Sequence, residues 1–349
     1  MATVEQDAIA TQRIESDLLK QQLITKQTRL ADTTLRAAAG GVEKLRAVGL
    51  RRHQVMRCPG AKVFALDWAP DSQHVLTASQ DRHMLIWNVR SGHKVQAIRM
   101  RMCWVTACAY GPGGDLAASG GLDNICTVYN LRMRTDVVGV PVAHELLGHA
   151  GYISACRFRS PTEMVTASGD GTCATWDLSR GTLLRQFSGH RSDVLSVATC
   201  AKNASIFVSG SADGSAIVWD GRTSRPVCTF DEHYGDVNGV DFFPDGYAFA
   251  TGTDDGACHL FDLRAHRELA SYRAGATPVP ITSVSFSLSG RLLVAGSESA
   301  RVHVWDVLKG DHARTLQAHD TRVACVRVSP DGASLATGGW DSKLAVWGT

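Results

Sequence analysis

His149, Ser168 and Asp170, with Trp176 close behind, hold the residue types of a nucleophilic triad, and His190, Ser211, Asp213 and Trp219 repeat them. An imidazole between a carboxylate and a hydroxyl can take the hydroxyl proton and start acyl transfer. A nucleophile should be singular and set in a pocket, whereas this trio recurs in several repeats. In both copies a Gly-His pair (Gly148-His149, Gly189-His190) precedes an apolar alternating strand. The serine ends the next strand, the Asp lies in the turn after it, and the Trp sits on the third. Buried in such a unit, the imidazole links the turn carboxylate to the serine hydroxyl, whose other lone pairs reach the indole N–H. We read all eight residues as structural staples and assign no catalytic residue.

The elements that position them recur along the chain. Aromatic residues closing an alternating strand stand at Trp87, Tyr129, Trp176, Trp219, Phe261, Trp305 and Trp347, at intervals of 42, 47, 43, 42, 44 and 42. That period is the roughly 40–45 residues of a four-stranded propeller blade. Each unit runs from an apolar strand (VFALDW, SVSFS, VACVRV) through a Pro/Asp/Gly turn to a strand ending in small residues, then an Asp turn and the aromatic strand. The fold class is all-β, a seven-bladed propeller over 58–349. Repeats 1 and 2 carry Cys58-Pro59 and Arg101-Met102 in place of Gly-His, and repeat 6 has Ser299 where the turn Asp is expected, so blades 1, 2 and 6 should be the least stapled. The chain ends after Trp347 without a fourth strand for its own blade. Residues 42–57 therefore read as a connector whose RHQVMR strand pairs with the last blade and hides its edge.

Composition excludes several classes. Net charge is +2, so no global basic field marks a nucleic-acid binder. Residues 1–57 hold 10 Lys or Arg against 6 Asp or Glu, but Arg51, Arg52 and Arg57 flank the closing strand. The 10 cysteines are spaced singly without a Cys-x-x-Cys pair, as reduced, buried thiols of a cytosolic protein would be, and no metal or cofactor is expected. No apolar run approaches a membrane span, and AVWGT is no prenylation box, so membrane contact must come through a partner. Once the staples are removed, no singular His/Asp/Glu/Cys constellation remains for an enzyme of the central channel.

Residues 4–36 lack Pro and Gly and favour a helix, which AAAGG (37–41) then breaks. Ile9, Ser16, Leu23 and Leu30 fall seven apart, with Leu19 four before Leu23, and Gln12, Lys26 and Thr33 fill the other seam positions. Such a poor seam can lie on its own propeller or pair with another chain as a coiled coil; pairing better accounts for the exposed Leu and Ile.

A heptad helix (1–41) ahead of a seven-bladed WD propeller resembles the β subunit of heterotrimeric G proteins. ASQD (78–81), CAY (108–110), GGLDNIC (120–126), GHAGY (148–152), SGDGTCATWD (168–177), FFPDGYAFATGTDD (242–255), LFDLRA (260–265), ITSVSFSLSGRLL (281–293) and GGWDS (338–342) are similar to that family's segments, in its order, across essentially the whole chain. The resemblance implies a binding protein without catalysis. Its helix, through Ile9, Leu19, Leu23 and Leu30, would pair with a lipidated γ subunit that holds it at the inner face of the plasma membrane. One propeller face would bind the GDP-loaded α subunit and, once released, competing effectors downstream of G protein-coupled receptors. The resemblance assigns to that face Lys62, Phe64, Trp104, Leu122, Asn124, Tyr152, Asp193, Leu195, Asp236, Asn238, Asp254 and Trp340. Aromatics there are expensive to expose without a partner, and Leu122 sits in a turn that needs no leucine. Phe64 stands where the family usually has Tyr, and Thr106 and Leu195 where it has Met; the stretch 132–149 is slightly longer than the family's. The alternative is a general WD scaffold that needs no γ subunit.

Overall fold

The structure is a computed structural model that describes residues 12, 14–16, 18, 19, 21, 22, 25, 26, 34–45, 48–58, 61–133, 140–275 and 277–348. Seven four-stranded antiparallel sheets follow one another, spanning 63–99, 105–146, 153–188, 194–230, 237–273 and 281–317 for blades 1 to 6. Blade 7 takes its three inner strands from 323–348 and its outermost, β1 (Arg51–Arg57), from the other end of the chain. β1 pairs antiparallel with Lys343–Gly348, from Arg51 opposite Gly348 to Arg57 opposite Lys343. That is the predicted closure, and it covers the edge on which another chain could otherwise add.

Alternation explains why the sheets stack. In the second and third strands of each blade both faces are buried, as in HVLTAS (74–79) and HMLIWN (83–88), because every blade is covered by two neighbours. Seven apolar clusters among the described residues lie between consecutive blades. Phe187, Phe207 and Trp219 fill the junction of blades 3 and 4, and Met56 of β1 joins Val63, Trp87 and Leu344 between blades 7 and 1. All ten cysteines are free, and burial pushes Cys173 and Cys325 up to about 12.

Ahead of the propeller, the described residues between 12 and 26 are helical. Thr34 is extended and caps a separate turn of helix, Leu35–Ala38, which ends at Ala39. The connector is clipped to blade 6: Arg291 donates to the Glu43 carbonyl at 2.8 Å, Lys309 to that of Ala39 at 2.7 Å, and Arg314 to that of Val48 at 2.5 Å. Leu19 is helical and exposed; Ile9, Leu23 and Leu30 lie outside the described residues.

The staples form, with one correction. His149 Nδ1 lies 3.0 Å from Asp170 Oδ2, but its Nε2 meets Thr166 Oγ1 at 2.8 Å, and the Trp176 indole donates to that same oxygen at 2.8 Å. In blade 4, His190 reaches Asp213 and Ser209, and Trp219 donates to Ser209. The bridging hydroxyl is therefore Thr166 or Ser209, not Ser168 or Ser211. Residues two apart share a strand face, but the earlier one lies deeper in the blade, where the indole points. Ser168 and Ser211 sit at the turn instead: each donates to a carbonyl across the blade and accepts the N–H of Asp170 or Asp213.

Blade 7 holds a complete staple that its Ala-His sequence concealed: His319 with Asp341 and Thr337 at 2.9 Å each, and Trp347 on Thr337. In blade 1, Cys58 takes the histidine's place, 4.0 Å from Thr77, which accepts from Trp87. In blade 6 the corresponding residue is Ala295, and the buried Trp305 indole N–H has no partner.

Candidate partner-binding face

The face is built from two features repeated in every blade. The first is a β-bulge. In all seven innermost strands the pairing slips by one residue, between Val63 and Ala65, Val105 and Ala107, Ile153 and Ala155, Val194 and Ser196, Val237 and Gly239, Ile281 and Ser283, and Val323 and Cys325. A bulge re-aims the side chain it skips. The skipped residues are Phe64, Thr106, Ser154, Leu195, Asn238, Thr282 and Ala324, and all seven line the central cavity of about 160 Å³.

The polar members of this inner ring stitch neighbouring blades. Thr106 donates to the Ile153 carbonyl, Ser154 to that of Val194, Asn238 to that of Ile281 at 2.8 Å, and Thr282 to that of Val323 at 2.7 Å. Phe64, Leu195 and Ala324 have no group to donate. Thr106, which stands where the family has Met, thus supplies an inter-blade bond.

The second feature is one backbone hydrogen bond across the top of each blade. The residue after the second strand donates to the carbonyl of the residue just before the first: Gln80 to Lys62, Leu122 to Trp104, Gly169 to Tyr152, Ala212 to Asp193, Asp254 to Asp236, Glu298 to Pro280 and Trp340 to Arg322, at 2.8–3.1 Å. These pairs form an outer ring around the cavity mouth. Lys62, Trp104, Leu122, Tyr152, Asp193, Asp236, Asp254 and Trp340 belong to it, and Phe64, Leu195 and Asn238 to the inner ring. Both rings therefore lie on one face of the propeller.

An aromatic cluster occupies blades 7, 1 and 2. The Phe64 ring lies 5.9 Å from Trp104 and meets Trp340 edge-on at 6.1 Å. Lys62 Nζ stands 4.2 Å over the Trp340 ring, and the Arg322 guanidinium lies 5.1 Å from it. Trp104 remains 43% exposed and Leu122 48%, large apolar surface left open to solvent on this face.

The opposite arc is acidic. The Tyr152 hydroxyl donates to Asp193 Oδ2 at 2.9 Å, and burial together with that carboxylate pushes the phenol up to about 12. Its ring lies against Gly169, where a Cβ would stand 2.2 Å from it, so Tyr152 is half-buried and largely serves its blade. Asn238 donates to Asp254 at 2.6 Å. Burial and the neighbouring Asp254 and Asp193 push the Asp236 carboxyl up. Asn124 has a left-handed φ of +62° and donates to the Ala150 carbonyl, so its turn alone accounts for an Asn there.

Sequence reading missed Arg322, which flanks Trp340 and pairs with Glu298 at 2.7 Å. It also missed the inner-ring hydroxyls of Ser154 and Thr282. The available signal was register: each stands at the same place relative to its strand as Trp104 or Phe64.

The chain matches, over residues 6–348, the family described as G protein beta WD-40 repeat protein. It is 40% identical over 363 aligned positions to a guanine nucleotide-binding protein subunit beta of Arabidopsis thaliana, covering 98% of this chain and 96% of the relative. It is 39% identical, with the same coverage, to the protein of that name in Solanum tuberosum. It is 42% identical over 304 positions to the Zea mays protein of that name, covering 82% of this chain and 80% of the relative.

Proposed function

From the premise that this chain belongs to the G protein beta WD-40 repeat family, we propose that it works as the β subunit of a heterotrimer by binding alone, with no catalytic step. Its two-ring face receives the switch region of a GDP-loaded α subunit and, after release, effectors that compete for the same surface downstream of a G protein-coupled receptor. The N-terminal helix pairs with a γ subunit whose lipid holds the dimer at the inner face of the plasma membrane. The observation that carries this reading is the aromatic cluster: Trp104 and Leu122 stand exposed beside Phe64 and Trp340 under Lys62, an apolar centre with a charged rim of the kind that concentrates binding energy. The exposed apolar Ile14, Leu18 and Leu19 of the helix support the pairing.

The test is a pull-down of the tagged chain from its own cells, with and without an activating guanine nucleotide. Nucleotide-sensitive loss of one GTPase is the expected result; no GTPase in either condition would end the reading. A scaffold that needs no γ subunit is separated by truncation at about residue 40. The scaffold folds and binds without the helix, whereas the β subunit loses its γ partner and its solubility.

A further inference from the structure

A cleft of about 530 Å³ lies against blade 5; its lining includes Asp231, Glu232, His233, Tyr234, His259 and Glu268, with Ser271 and Arg273 on the outermost strand. Residues 231–236 connect blade 4 to blade 5, His259 lies on the third strand of blade 5, Ala257–Asp262, and Glu268 on the fourth, Arg267–Arg273. His259 is 5% exposed, the one buried side chain of the lining. Its Nδ1 lies 3.0 Å from Glu268 Oε1, and its Nε2 is buried with no hydrogen-bond partner. With the proton on Nδ1 donated to the carboxylate, Nε2 presents a bare lone pair. A buried acceptor left in that state costs free energy that a donor would recover.

The other members of the cleft leave that acceptor uncovered. His233 has both nitrogens committed, Nδ1 at 3.0 Å from the Gly214 carbonyl and Nε2 at 2.9 Å from Thr251 Oγ1. Burial and the His259 ring, which it meets edge to face at 5.3 Å, push its pKa down to about 4, so it adds no charge. Arg273 also lines the cleft, but its guanidinium is held by Asp255, through the backbone carbonyl at 2.9 Å and the carboxylate. Among the described residues, neither Asp231 nor Glu232 has an ion-pair partner. Tyr234 stands 90% exposed at the mouth with its ring face open.

A lone acceptor, carboxylates and an exposed aromatic face together match a flat cation that carries several N–H donors. They do not match a metal ion, for which no group of His, Cys, Asp and Glu is placed among the described residues. The segment that carries Tyr234 leads within two residues to Asp236, which belongs to the outer ring beside Asp254. We propose that this cleft receives an arginine side chain from a basic segment of a partner protein. The guanidinium lies under Tyr234, between the carboxylates, and donates to His259 Nε2. This inference stands on the cleft alone and does not depend on which GTPase or γ subunit the protein meets.

The test uses the full-length chain labelled with [15N]histidine and the synthetic peptide acetyl-Gly-Arg-Gly-Arg-Gly-amide, with its citrulline counterpart as the uncharged control. The arginine peptide should move the His259 Nε2 resonance and the citrulline peptide should not. By calorimetry, Tyr234→Ala and Glu232→Gln should each weaken binding about five- to tenfold, while Tyr234→Phe keeps it. Both positions are exposed on a connecting loop, and unchanged melting curves check that the variants fold. Equal binding of the citrulline peptide, an unmoved His259, or Tyr234→Ala binding like the parent would each overturn the proposal. So would a His259 response to zinc chloride alone with none to the peptide.

Discussion

Leu122 and Asp213 both occupy the turn between second and third strands, yet opposite constraints hold them. Asp213 takes the N–H of Arg191 at 2.8 Å and faces a buried imidazole, so removing it leaves His190 and a backbone donor without their carboxylate. Asp213→Ala should destabilise by about 2 kcal/mol, visible as a lower melting temperature by circular dichroism. Leu122 is half exposed and belongs to none of the apolar clusters between the blades among the described residues. Leu122→Arg should leave the melting curve unchanged and weaken binding of a GDP-loaded α subunit about tenfold or more by surface plasmon resonance. Unfolding of that variant would instead place Leu122 in the core. The staples also set a pH dependence. Burial pushes His149, His190 and His319 below the ordinary 6.5, and hydroxyl, backbone and imidazole partners draw Asp170 from 3.8 down to about 2. In both cases the unfolded chain binds the proton more readily, so stability rises with pH. The histidine contribution is complete above 6.5 and is lost as pH falls below it; the Asp170 contribution is complete above 3.8 and is lost as pH falls through about 2. Urea midpoints should fall in two stages between pH 7 and pH 2, and a flat profile would show that the staples contribute little.

At the scale of the blade, the rule is a hydroxyl ten residues before the aromatic: Thr77 and Trp87, Thr166 and Trp176, Ser209 and Trp219, Thr337 and Trp347. Blade 5 keeps the hydroxyl, since Thr251 meets His233, but closes with Phe261, which has nothing to donate. Blade 6 keeps the donor and lacks the hydroxyl, leaving the Trp305 indole unpartnered. Ala295→Ser adds one oxygen at that position and should stabilise by about 0.5–1 kcal/mol, raising the melting temperature by a few degrees. A fall would mean that the packed junction around Ala295 has no room for the atom. A histidine lacking its glycine, as in blade 7, still completes a staple because the imidazole, not the glycine, makes the bonds.

For the whole molecule, closure rests on β1. A chain beginning at residue 58 exposes the Lys343–Gly348 edge and opens the cluster that Met56 shares with Val63 and Leu344. It should elute from a sizing column as oligomers or precipitate, whereas a monodisperse monomer would show that the ring closes without that strand. By itself the sequence determined the number of blades, the closing strand and the Asp-His-Trp members of the staples in blades 3 and 4, because these depend on period and on residue types that recur at fixed spacing. The resemblance to known segments supplied most of the face, since Leu122 and Trp340 are conspicuous only where a turn asks for something else. Tertiary structure alone decided which hydroxyl bridges a staple, because Thr166 and Ser168 share a strand face and only depth in the blade separates them. It also decided that Phe64, Leu195 and Asn238 stand on bulges around one channel, and that His233 and His259 border one acidic cleft. Those relations depend on register and on neighbours supplied by other blades, and a linear period carries no record of either.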